Sequence, residues 1–207
     1  MHCVAIFGKY MKNVTQTAAC IDDEQVICAV RNWVETFVVG MNLCPFAKRE
    51  LVKNRVRFVC STATTQAQLL LALQAELELL DAEPAVETTV LIHPAVLGDF
   101  YDFNDFLDLA DRLLVEMQLE GIYQIASFHP DYQFAGTLAS DAENYTNRAP
   151  YPVLHLLREE SLEQVIADYP DVDDIPERNI ALMNKLGAEQ LQQLLQSCSQ
   201  PDDNSPS

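Results

Sequence analysis

Val86-Glu87-Thr88-Thr89-Val90-Leu91-Ile92-His93-Pro94 and Ile122-Tyr123-Gln124-Ile125-Ala126-Ser127-Phe128-His129-Pro130 decide how this chain is built. Each is a short run rich in branched and aromatic residues that ends in His-Pro, and proline holds the residue before it extended and stops the strand. Between them Phe103, Phe106, Leu107, Ala110, Leu113, Leu114 and Met117 recur at helical spacing, and Gly121 closes the helix. The local order is strand, helix, strand, with an imidazole at the end of each strand.

The same grammar extends both ways. Upstream, Arg55 to Cys60 reads as the first strand, followed by Thr64 as an N-cap and a leucine-rich helix to about Leu80 that Glu83-Pro84 closes. Ile27, Val30, Val34, Phe37, Val38 and Met41 place an amphipathic helix over 24–41. Pro45 suits the first position of a helix over 45–52, with Cys44 as its N-cap. Downstream, about twenty residues between His129 and Tyr151 lack periodicity but carry Tyr132, Phe134 and Tyr145, which is a functional loop's composition rather than a disordered one. Val153 to Leu157 resembles a fourth strand. Ser161 with Gln164 makes a capping box, and Asp174 with Pro176 and Glu177 starts a last helix to about Leu195.

Alternation of this kind predicts an α/β fold, or a ferredoxin-related α+β one: a sheet of about four strands, at least three of them parallel, packed with helices. Residues 24–197 form the globular domain, 1–23 an N-terminal extension and 198–207 a tail. Parallel strands bring Cys60, His93 and His129 to one edge of the sheet, where open α/β sheets place their ligands.

Charge and composition exclude several classes. The 207 residues carry a formal charge of -18, distributed as +3 over residues 1–60 and -21 over the rest, a surface that repels nucleic acid and anionic membrane. No apolar run approaches the roughly 20 residues of a bilayer span, and the first ten residues lack a signal-peptide core. Cysteines at 3, 20, 28, 44, 60 and 198 form no C-x-x-C pair, so reduced thiols in a cytoplasmic setting are expected rather than disulfides or a zinc cluster. Asp102, Asp105, Asp108 and Asp111 recur opposite the apolar stripe of their helix and read as a solvated face. Lys48, Arg49, Lys53, Arg55 and Arg57 are the one basic cluster, either a rim that balances the acidic remainder or a surface for an anionic partner.

His93 and His129 are the leading candidates for acid/base catalysis, and with His155 for a divalent transition metal, because imidazole titrates near neutrality and ligates such ions. The plainer reading makes each His-Pro a strand stop and His155 a hydrogen-bonded core residue. Cys44, under a helix dipole and near Lys48 and Arg49, is the candidate nucleophile; a buried, inert thiol is the alternative. Arg148 with Asn144, Asn147 and Tyr132 suits a small anionic substrate, the guanidinium gripping a carboxylate or phosphate in two places; equally, Arg148 can bridge the loop to Asp131 or Asp141.

The strings Asn42-Leu43-Cys44-Pro45-Phe46-Ala47, Phe128-His129-Pro130-Asp131-Tyr132-Gln133-Phe134-Ala135-Gly136 and Asn144-Tyr145-Thr146-Asn147-Arg148-Ala149-Pro150-Tyr151-Pro152-Val153-Leu154-His155-Leu156-Leu157-Arg158-Glu159 resemble DUF1415, a bacterial domain of unknown function, over about Val26 to Leu195. The resemblance implies a stand-alone cytosolic protein of similar length with no established cofactor. Two functions follow from the residues: an enzyme acting on a small anionic substrate through histidines at the strand edge, or a non-catalytic adaptor that docks an acidic partner through its 48–57 segment.

Overall fold

Runs of β-branched residues pair into one four-stranded sheet in the computed structural model of the protein, which describes residues 22–168 and 174–200. The expected N-terminal extension, apart from Asp22 and Asp23, and the expected tail beyond Gln200 lie outside the described residues. The strands are β1 (Val56–Cys60), β2 (Thr88–Ile92), β3 (Tyr123–Phe128) and β4 (Val153–Arg158), in the order β1-β2-β4-β3.

The mixed α/β fold is as read, but the expectation of at least three parallel strands is not met. Only β1 and β2 pair in parallel; β4 enters between β2 and β3 and runs antiparallel to both. The long loop after His129 is the cause. It returns the chain beside β3 without a helical crossover, and such a return gives antiparallel pairing. Two antiparallel pairings in succession leave β3 pointing the same way as β2, so His93 and His129 both follow strand ends at one edge of the sheet.

Alternation along the strands sends side chains to two different cores. On one face Leu91, Leu154 and Leu156 pack against α3 (Gln66–Ala82) and α4 (Phe100–Glu116). Leu69, Leu73, Leu77 and Leu80 of α3 are each 0% exposed, and full burial of such a side chain contributes about 1.5–3 kcal/mol. Glu76 lies on that buried stripe and is tolerated because Arg57 of β1 takes both its oxygens, at 2.7 and 2.9 Å. The aspartates of α4 are exposed, as a solvated face requires.

On the other face Val90, Ile92 and Val153 meet Val30 and Trp33 of α1 (Asp23–Trp33), Met183 of α6 (Ile175–Leu186) and Leu191 of α7 (Ala188–Ser197). The expected helix over 24–41 changes character midway: Val34–Val39 is a π-helix. The short α2 (Ala47–Val52) follows, and α5 (Glu159–Asp168) leaves β4 directly, so Ser161 caps nothing. The N-cap of α3 is Thr65 rather than Thr64, its side chain accepting from the Gln68 amide. The last expected helix is two, broken at Gly187, whose φ of 81° is accessible to glycine at little cost.

Candidate functional site

Strand ends place the two edge histidines in one neighbourhood, against the ring of Phe103, whose centroid lies 5.7 Å from that of His93 and 5.1 Å from that of His129. Both are fully buried, and both hold the loop between β2 and α4. His93 Nδ1 donates to the Val96 carbonyl at 3.0 Å, and His129 Nε2 donates to the Leu97 carbonyl at 3.1 Å. A carbonyl only accepts, so these nitrogens carry the protons. The Asp131 amide donates to His129 Nδ1 at 3.0 Å, which fills the second ring nitrogen of that residue. Leu97 itself sits at φ 59°, a costly conformation for a branched side chain, held by this clamp. Burial pushes the pKa of His93 down to about 4 and that of His129 down as well. His93 Nε2 is buried and has no hydrogen-bond partner among the described residues. The expected acid/base pair is thus two neutral rings bracing a loop.

His155 is elsewhere. It follows Leu154 and precedes Leu156, both on the α3/α4 face, so its ring stands on the opposite side of the sheet from His93 and His129. The three histidines are not brought together as a ligand set, and among the described residues no group of three or more His, Cys, Asp or Glu is placed to hold a metal ion.

The anion-binding residues expected in the long loop are spent on the loop itself. Arg148 donates to the carbonyls of Tyr132 (3.2 Å) and Ala139 (2.8 Å) and lies over the Tyr145 ring, so it bridges neither to Asp131 nor to Asp141. Asn144, fully buried, accepts from the Phe134 amide and the Thr137 hydroxyl and donates to the Leu138 carbonyl. Asn147 donates to the Ser127 carbonyl and accepts from the His129 amide. Tyr132 packs on Phe100 and Phe134. Residues 142–146 make a 3-10 helix, which is why the loop is ordered without periodicity.

Cys44 does not cap a helix, because α2 starts at Ala47 with Phe46 in the N-cap place. The basic cluster is largely committed: Arg49 and Arg55 both pair with the buried Glu50, Arg55 also reaches Glu87 at 3.3 Å, and Arg57 holds Glu76. Cys60, at the end of β1, has its thiol pushed up to about 12 by burial first and then by the neighbouring Asp23 carboxylate.

What the sheet does support is a recess of about 280 Å³ on the face that carries His155. Its floor is Val90, Ala126, Phe128, Val153 and His155; its walls are Trp33, Val34 and Val38 from α1 and the π-helix, Cys44 and Phe46 from the following turn, Leu51 from α2 and Leu162 from α5. Of the residues expected to be catalytic, Cys44 alone lines it. His155 lines it from the inner strand β4, with Val90 and Ala126 as its cross-strand neighbours. The Thr88 hydroxyl has one proton and gives it to the Leu156 carbonyl at 2.5 Å, so the 2.7 Å contact from His155 Nε2 to Thr88 Oγ1 needs the ring to donate. Nδ1 is left as a lone-pair acceptor. Burial moves the pKa of this ring down to about 4, so it is neutral near pH 7. Trp33, Phe128 and His155 form a continuous aromatic wall, with centroids 5.1 and 6.4 Å apart in that order. The sequence offered two signals for this place: a histidine inside a leucine-rich inner strand, and the Asn42-Leu43-Cys44-Pro45-Phe46 string. Neither says that the two meet.

A sheet of order β1-β2-β4-β3 covered by helices on both faces defines the chain as a mixed α/β protein, with a mostly apolar recess on one of those faces. The chain belongs to the family described as a protein of unknown function (DUF1415), whose pattern matches residues 25–193. No curated protein and no solved structure matches it. Among the described residues no helix is long and apolar enough to cross a membrane.

Proposed function

We propose that the protein binds a compact, predominantly apolar small molecule in the recess beside His155. The observation that carries this is the recess itself, about 280 Å³ in a core otherwise filled by close-packed leucines and aromatics. That volume lies near the lower end of the roughly 300–1,000 Å³ typical of small-molecule sites, which are likewise mostly apolar with a few placed polar groups. Apolar lining left against water costs about 25 cal/mol per Å², which an apolar guest recovers. The small-ligand function expected from the sequence is retained; its location and its anionic chemistry are replaced, because Arg148 is held by carbonyls and His93 and His129 are held by the β2–α4 loop. A docking function for the 48–57 segment has less support, since three of its five cations pair within the chain.

Trp33 is the one tryptophan of the chain and it lines the recess, so the protein carries its own reporter. Titration with p-xylene is expected to give a saturable change in Trp33 emission and a rise in melting temperature. Ala126→Phe, which fills the floor, is expected to remove both while far-UV circular dichroism stays unchanged. A linear, non-saturating response in the wild-type protein defeats the proposal.

A further inference from the structure

The hydrogen-bond chain behind His155 says more about the occupant than the shape of the recess does. Resting on the pocket-binding reading above, we infer that the ligand is a neutral molecule bearing a hydroxyl or N–H donor, an alcohol, phenol or amide-like group, which it gives to His155 Nδ1. Thr88 spends its only proton on the Leu156 carbonyl, which obliges His155 Nε2 to donate and fixes the tautomer. The remaining nitrogen has a lone pair and no partner among the described residues, and it belongs to the one imidazole on the floor of the recess. An apolar floor with a single side-chain acceptor discriminates by donor: a molecule without one leaves the acceptor unpaired, and a molecule with one completes it.

Charge points the same way. The charged residues lining the recess already have partners: Glu50 lies between Arg49 and Arg55, Glu87 is with Arg55, and the Arg158 guanidinium is held by the Leu80 and Val86 carbonyls and the Tyr123 hydroxyl. The neutral imidazole offers an anion no proton. An anion set on this floor would therefore lose hydration without gaining a proton from the ring.

The test uses three probes of one shape: p-cresol, which has a donor; p-xylene, which has a methyl group there; and p-toluate, which has a charge. Affinities for the wild-type protein and for His155→Leu are read from Trp33 emission. The ratio of p-cresol affinity to p-xylene affinity is expected to fall about fivefold or more in His155→Leu, the size of one hydrogen bond, with p-xylene binding retained and p-toluate not bound by either protein. In the wild-type protein alone, the ¹⁵N resonance of His155 Nδ1 is expected to shift on adding p-cresol and to stay in place on adding p-xylene, which keeps the test alive if the variant folds poorly. A ratio or a resonance indifferent to the hydroxyl, with p-xylene still bound, overturns the inference and leaves the pocket standing. Tighter binding of p-toluate than of p-cresol overturns it too, and binding of none of the three removes the pocket-binding reading along with it.

Discussion

A buried imidazole must be neutral, and its two nitrogens then differ: one gives a proton and the other takes one. His129 has both satisfied, His93 has its donor satisfied, and His155 has its donor satisfied, its acceptor being without a partner among the described residues. The same burial makes these residues acid-sensitive. The unfolded His93 ring takes up a proton near pH 6.5 whereas the folded one does so only near pH 4, so its stabilising contribution is whole at pH 7 and is lost as the pH falls from 6.5 toward 4. For a shift of this size the loss is on the order of 3 kcal/mol. His93→Asn keeps an N–H for the Val96 carbonyl and removes the titration. Its urea-unfolding deficit relative to wild type is expected to shrink steadily from pH 7 to pH 4.5; a deficit that stays constant over that range contradicts the assignment.

At the scale of elements, α1 gives way to a π-helix where it borders the recess. The π-turns of Val34–Val39 widen the backbone and present Val34 and Val38 to the sheet, and π-segments of this kind are frequent at functional sites. Gly40 ends the segment with an α-like φ of -61°, so glycine is not needed there for its backbone freedom but for space: an added Cβ would lie 2.3 Å from the Thr36 carbonyl oxygen. Gly40→Ala is accordingly expected to cost about 2 kcal/mol by chemical denaturation and to alter Trp33 emission; an unchanged midpoint and spectrum would show that the helix accommodates a methyl group. Arg158 is the other element-scale tie. At the end of β4 it donates to the carbonyls of Leu80 (2.5 Å) and Val86 (3.1 Å) and to the Tyr123 hydroxyl (3.1 Å), joining the α3–β2 turn to two strands. Arg158→Met strands those acceptors, and a loss of about 2–3 kcal/mol is expected, seen first as faster amide exchange at residues 83–88.

Across the whole molecule, self-repulsion governs how the fold responds to salt. A formal charge of -18 on 207 residues opposes the compact state through self-repulsion. Raising NaCl from about 0.01 to 0.3 M shortens the Debye length from about 30 Å to under 8 Å, so the melting temperature is expected to rise with salt in differential scanning calorimetry. A fall would mean that the ion pairs outweigh the net charge.

The sequence by itself determined the elements. Strand composition, the 3.6-residue stripes of α3 and α4, and the break at Gly121 are local effects, each legible within a turn or two of chain, whereas the cap of α3 reads one residue early in the sequence, at Thr64 instead of Thr65. It also located every histidine and the unusual loop, and it showed that β4 carries His155 among leucines. Only the tertiary structure decided where β4 inserts, and with it which histidine faces a pocket and which face a loop. That choice is a difference between whole-sheet packings, parallel addition at the edge against antiparallel insertion, and the energies that separate them come from strand partners 25 to 69 positions apart. Reading along the chain sees the hydrogen-bonding groups of Arg148 and Asn144 but not the carbonyls that consume them, and sees His155 but not the space left open above it.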